Sequence, residues 1–134
     1  MNPILAALSL STNVRFQGYK PSVFYPKLNN KPLFQSLRLQ CEQMDMPFLS
    51  FFPSEAHLIA DSYNLVVDAI FGHNYKGPAS PEFAIILDKL KQIQNDLPVC
   101  SIDIPSGVCV CVCVCVCVCV CVCVCVCVCV CVRE

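Results

Sequence analysis

From Val108 to Val132 the chain is Val and Cys in strict alternation, thirteen Val and twelve Cys without exception. No other stretch limits the possible folds as much. Alternation at period two is the pattern of a β-strand, with Val on one face and Cys on the other. Strands run about 3–10 residues, however, so 25 in a row have no ordinary place in a sheet. The run also exceeds the roughly 20 residues that carry a helix across a bilayer. Yet no aromatic belt flanks it and only one basic residue, Arg133, follows it. Cys at every second position does not gather around a soft metal without turns between the ligands. A TG dinucleotide repeat offers only the codons GTG and TGT in any frame, and so translates as this run. Residues 108–132 therefore read as a translated repeat, uncharged, β-branched and prone to aggregate, and residues 108–134 are not expected to form a domain.

With the run and Arg133-Glu134 set aside, 107 residues remain, carrying 8 basic and 9 acidic side chains. That balance gives no footprint for nucleic acid or another polyanion. Cys41 and Cys100 are the only cysteines outside the run, which excludes a disulfide framework. One domain over residues 1–107 is the natural count. Met1 to Leu10 is apolar but lacks the basic start and small-residue cleavage site of a secretory signal.

Periodicity gives the elements. Asn2 and Pro3 are placed to open a weak first helix. Ser22–Tyr25 is a short strand closed by Pro26. Asn30 is placed as a cap with Pro32 in the first turn, and Leu33, Phe34, Leu37, Cys41 and Met44 then recur at helical spacing. Pro47–Phe52 reads as a second strand and Ser54–Ala60 as a short helix capped by Ser54. Asn64–Ile70 is a strand whose continuously apolar centre suits burial on both faces. After a loop, Ser80, Pro81 and Glu82 open a helix carrying Phe83, Ile86, Leu87, Leu90 and Ile93 on one face. Leu97–Ile104 is the last strand. The order β-α-β-α-β-α-β predicts an α/β fold, a mostly parallel sheet with helices on its faces.

In such sheets ligands bind beyond the carboxyl ends of the strands. Asp68 and Asp103 lie near two of those ends, 35 residues apart, about one βαβ unit. Neighbouring strands would bring both carboxylates to one crevice; equally, each carboxylate can cap the loop that follows it. The Gly72–Gly77 loop leads to a helix N-terminus, where backbone N–H groups and Lys76 suit phosphate, though a solvated loop fits as well. Asp68, Ser106 and nearby carbonyls form an all-oxygen set suited to a hard cation rather than zinc. His57 reads as a surface helix residue and His73 as a weak candidate for substrate contact. Cys41 and Cys100 read as core residues.

Four strings are specific: Tyr25-Pro26-Lys27, Asn30-Lys31-Pro32-Leu33-Phe34, Val66-Val67-Asp68-Ala69-Ile70-Phe71-Gly72 and Ser101-Ile102-Asp103-Ile104-Pro105-Ser106-Gly107. In order and spacing, from about Leu8 to Gly107, the chain resembles the NAD(P)H-hydrate epimerase family, known in animals as apolipoprotein A-I binding protein. The resemblance implies a Rossmann-like three-layer αβα fold, usually as a homodimer. It implies an isomerase that interconverts the R and S hydrates of NADH and NADPH (NADHX and NADPHX), with one potassium ion per subunit. By position, Asp68 and Ser106 would be potassium ligands. Gly72, His73, Asn74, Tyr75, Lys76, Gly77 and Pro78 would form the substrate loop, and Asp103 would bind substrate and act as the catalytic carboxylate. A mitochondrial or cytoplasmic location, a secreted form and an apolipoprotein partner follow only from the family.

The chain departs from the family at two places. The Gly-Pro-Gly-Asn-Asn-Gly-Gly-Asp-Gly motif expected before Gly18, which carries a phosphate-contacting turn, a potassium ligand and a central strand, is replaced by Met1 to Val14. After Gly107 the repeat stands where further strands and helices would follow. The expectation is an incomplete fold with exposed sheet edges, poorly stable and inactive as it stands. A binding protein without catalysis is the alternative function, and a membrane-anchored fragment is a third.

Overall fold

Two prolines set the frame of the longer helices. In the computed structural model, which describes residues 3–72, 75–103, 106 and 130–133, Pro32 opens helix α2 (Pro32–Gln43) and Pro81 opens α4 (Pro81–Ile93). Proline suits a first helical position because its φ is preset and its missing N–H has no partner there. Helix α1 (Pro3–Phe16) precedes them, and the shorter α3 (Ala56–Ser62) lies between. Lys31 and Glu55, not Asn30 and Ser54, occupy the cap positions of α2 and α3, and neither makes a side-chain cap bond. The entry to α2 is instead held by Asn29, whose Oδ1 accepts the Lys31 N–H at 3.0 Å.

The strands are shorter than the apolar runs that contain them. They are β1 (Lys20–Phe24), β2 (Phe48–Leu49), β3 (Val66–Asp68) and β4 (Val99–Ser101). β1 pairs with β2 in parallel, and β3 with β4 in parallel with Asp68 opposite Ser101. Both pairs are parallel, as the βα alternation predicts, and fit the Rossmann-like fold that the resemblance implies. The departure from it comes from the repeat. Val130–Arg133 forms a strand, β5, antiparallel to β1, and it comes alongside β3. The end of the Val-Cys run thus lies between the two parallel pairs. The rest of the run, on which the membrane-span and aggregation readings fall, lies outside the described residues. Among the described residues no helix is long and apolar enough to cross a membrane.

The core is shared between strands and helices. Val23 and Val66 are fully buried, as are Leu8 of α1, Cys41 of α2, Ile59 of α3, and Leu90 and Ile93 of α4. On α4 the buried positions are Ile86, Leu87, Leu90 and Ile93, the face expected from a 3.6-residue period. Leu33, expected on the buried stripe of α2, is 58% exposed on the solvent side of the first turn. Trimming one methyl group from the packed end of α4 by Ile93→Val is expected to cost about 1 kcal/mol, measured as a lower urea midpoint with an unchanged slope.

Helix α2 ends in the left-handed region. Asp45 has φ 53°, and the Met46 N–H returns to the Cys41 carbonyl at 3.2 Å. That is the geometry of a C-terminal cap usually filled by glycine. Asp45→Gly is expected to raise stability by about 0.5 kcal/mol, the strain relieved being partly offset by glycine's greater unfolded entropy. A small rise in melting temperature would register it.

Candidate functional site

The strand β3 is buried at every position, and its last residue is an acid. Val66, Val67 and Asp68 are all inaccessible to solvent or nearly so, with Asp68 at 0%. A carboxylate in such a place has to find donors, and the residues just after β3, the end of β4 and Ser106 deliver them. Asp68 Oδ1 accepts the Ile70 N–H at 3.1 Å and the Ser106 hydroxyl at 2.6 Å. Oδ2 accepts the Ser106 N–H at 2.9 Å and faces the Ser101 hydroxyl at 3.5 Å. Burial pushes the Asp68 carboxyl up to about 6, against the pull of those hydrogen bonds.

Asp103 is different in kind. It lies two residues beyond β4, is exposed, and holds φ at 78°. A non-glycine residue at positive φ is uncommon, and Asp tolerates it better than most. Such strained backbone clusters where function dictates geometry. The Ile102 N–H, donating to the Asp68 carbonyl at 2.8 Å, ties the approach to Asp103 onto the end of β3. The two acids therefore share one end of the parallel pair, as their spacing predicts. They do not share a crevice: Asp68 is sealed inside and Asp103 stands in solvent.

The loop after β3 runs along the same end. Gly72 is half-buried, while Tyr75, Lys76, Gly77 and Pro78 are exposed. The Phe71 ring stacks on Tyr75 with centroids 3.8 Å apart and meets Phe83 of α4 edge-on at 5.4 Å. The Tyr75 hydroxyl donates to the Pro78 carbonyl at 2.7 Å. His73 and Asn74 lie outside the described residues. Sequence reasoning missed Ser101 and Phe71 as parts of this end. A serine opposite Asp68, in an otherwise apolar strand, is the signal that would have found the first.

The remaining candidates fall elsewhere. His57 is on the surface of α3, 3.9 Å from Glu55, as expected. Cys41 is fully buried and its thiol is pushed up to about 11 by burial. Cys100, expected in the core, is exposed: alternation along β4 buries Val99 and turns Cys100 outward. Two open cavities are lined by other residues and by none of the site residues above. One of about 340 Å³ is lined by Phe24, Phe52, Ile86 and Lys89, and one of about 410 Å³ by Arg15, Lys20, Asp45 and Tyr63.

A potassium ion at Asp68 and Ser106 can be tested on this donor set. A carboxylate offers about four lone-pair positions, and donors face all four. The Ser106 hydroxyl is itself engaged by Phe71. The residues as arranged do not fit an added cation.

Comparison with known proteins agrees with this architecture. The family described as YjeF-related protein N-terminus matches residues 6–129. Among solved structures, the crystal structure of yeast ynu0, YNL200c, superposes with a TM-score of 0.68 at 30% identity. The match covers 75% of this chain and 42% of the yeast chain, so the chain spans less than half of the length of that relative.

Proposed function

The chain belongs to the YjeF-related protein N-terminus family, and from that premise we propose that its site is that of an NAD(P)H-hydrate epimerase, an isomerase acting on NADHX and NADPHX. The observation that carries this reading is Asp103, an exposed carboxylate in strained backbone at the carboxyl end of a parallel strand, one residue after Ile102, whose N–H is bonded to the end of β3. That is where an α/β sheet presents chemistry to a ligand. Epimerisation at C6 of the hydrated nicotinamide ring requires a proton to move twice. The C6 hydroxyl leaves as water once protonated, and the ring becomes cationic. Water then adds to the opposite face and gives up a proton. No electron pair is gained or lost overall. A carboxylate within reach of C6 would serve both transfers, and we assign that role to Asp103. The exposed Tyr75–Pro78 stretch is the surface available to the nucleotide. Because the Asp68 carboxylate is already saturated, no step passes through a bound cation.

The glycine-rich segment of the family would supply further phosphate contacts, so the chain alone is expected to turn over slowly or not at all. The test incubates purified protein with R-NADPHX and follows the S form by chromatography, in this chain and in a form with the glycine-rich segment restored. A rate above the spontaneous one in the restored form supports the reading. No acceleration in either form defeats it.

A further inference from the structure

We propose that in this chain Asp68 and Ser106 are positioning residues for the Phe71–Pro78 loop and not the ligand set of a cation. The Asp68 carboxylate collects donors from three separate stretches: Ile70 just beyond β3, Ser101 at the end of β4, and both the amide and the hydroxyl of Ser106. A cation entering there would displace at least one of these donors and expose a buried polar group. Among the described residues, no buried side-chain nitrogen or oxygen lacks a partner, so the arrangement leaves nothing for an ion to satisfy.

Ser106 passes that constraint on. With its hydrogen directed at Asp68 Oδ1, its oxygen accepts the Phe71 N–H at 2.9 Å. A hydroxyl offers one donor and two lone pairs, so both bonds form together. Phe71 is the first residue of the loop, and its ring carries Tyr75 by stacking. Tyr75 in turn closes the loop on itself, its N–H donating to the Gly72 carbonyl at 2.9 Å and its hydroxyl to that of Pro78 at 2.7 Å. The buried carboxylate thus sets where the loop begins, and the aromatic stack sets where it lies. The proposal rests on the epimerase reading only for what the loop would hold.

Limited trypsin digestion of the full chain tests it, because Lys76 lies on the loop. Cleavage after Lys76 is followed by mass spectrometry under reducing conditions, in potassium chloride and in N-methylglucamine chloride of equal ionic strength. Ser106→Ala is expected to speed cleavage at Lys76 about fivefold, the loss of one hydrogen bond, with cleavage after Lys27 and Lys91 unchanged. Ser106→Thr, which keeps the hydroxyl, restores the parent rate, and the choice of salt has no effect. Unchanged cleavage in Ser106→Ala overturns the proposal, as does slowing by potassium alone in the parent chain. Should Ser106→Ala fail to fold, hydrogen exchange on the parent decides. A protected Phe71 amide supports the proposal, and one exchanging like an unstructured peptide overturns it. The digestion uses no substrate, so an inactive protein with a Ser106-dependent loop defeats only the functional reading.

Discussion

Asp68→Ala is expected to lower stability by about 3 kcal/mol at neutral pH and by roughly twice that at about pH 4. Removal of the carboxylate strands the Ile70 and Ser106 amides and the Ser106 hydroxyl, all bonded to it inside the protein. Each buried donor left without an acceptor costs about 1–3 kcal/mol. Against that loss stands a gain: the parent carboxyl sits at about 6 instead of 3.8, so keeping it ionised in the fold costs about 3 kcal/mol at neutral pH. The sign of the pH dependence follows. A raised pKa means that the folded state binds the proton more tightly than the unfolded one. The contribution of Asp68 to stability is fully present below 3.8 and is lost as pH rises through about 6. The alanine variant has no such term, so the gap between the two proteins widens on acidification. Urea unfolding of both at a series of pH values measures it. A gap independent of pH would show that the carboxyl is not strained by burial.

The helices were legible because their signals are local. Pro32 and Pro81 mark first turns, and the apolar spacing from Phe83 to Ile93 marks a buried face. The strands were legible in place but not in length. β2 has two paired residues, Phe48 and Leu49, out of an apolar run from Pro47 to Phe52, because a strand ends where its neighbour's hydrogen bonds end. Caps were the weakest inference: Asn30 and Ser54 are good cap residues by type, yet neither occupies the cap position. The strand at the end of the repeat was not legible at all. A two-letter alternation pairs as well in any even register, so the pattern carries no information about which of its residues meets β1.

The placement of the two acids at one end of the strands was legible; their burial was not. Spacing of one βαβ unit between Asp68 and Asp103 placed both at one end of paired strands, and the register of Asp68 against Ser101 agrees. Spacing does not report burial. Asp68 is followed by Ala69 and Ile70, which are also buried, so its carboxylate turns inward and captures Ser106. Asp103 lies beyond the end of β4 and stays outside. Two acids that look equivalent in sequence have divided into a buried anchor and an exposed carboxylate.

Asp103→Asn is expected to reduce epimerisation about 10²–10⁴-fold, the range for loss of a positioned acid-base group, while leaving the fold intact. Asparagine has nearly the same volume and tolerates positive φ as well as aspartate, so the backbone at 78° is accommodated. The residue is exposed, and the unfolding midpoint should move by no more than about 0.5 kcal/mol equivalent. Asp103→Gly separates chemistry from strain. It removes the same proton carrier but also relieves the backbone, and is expected to lose activity equally while gaining up to about 1 kcal/mol of stability. The measurement is the rate of R to S conversion of NADPHX in the form bearing the glycine-rich segment, alongside urea unfolding of each variant. Full activity in Asp103→Asn would move the catalytic role to another residue at this end. Equal loss in both variants, with stability raised in the glycine variant alone, would show that the strained conformation at this position serves to aim a carboxylate.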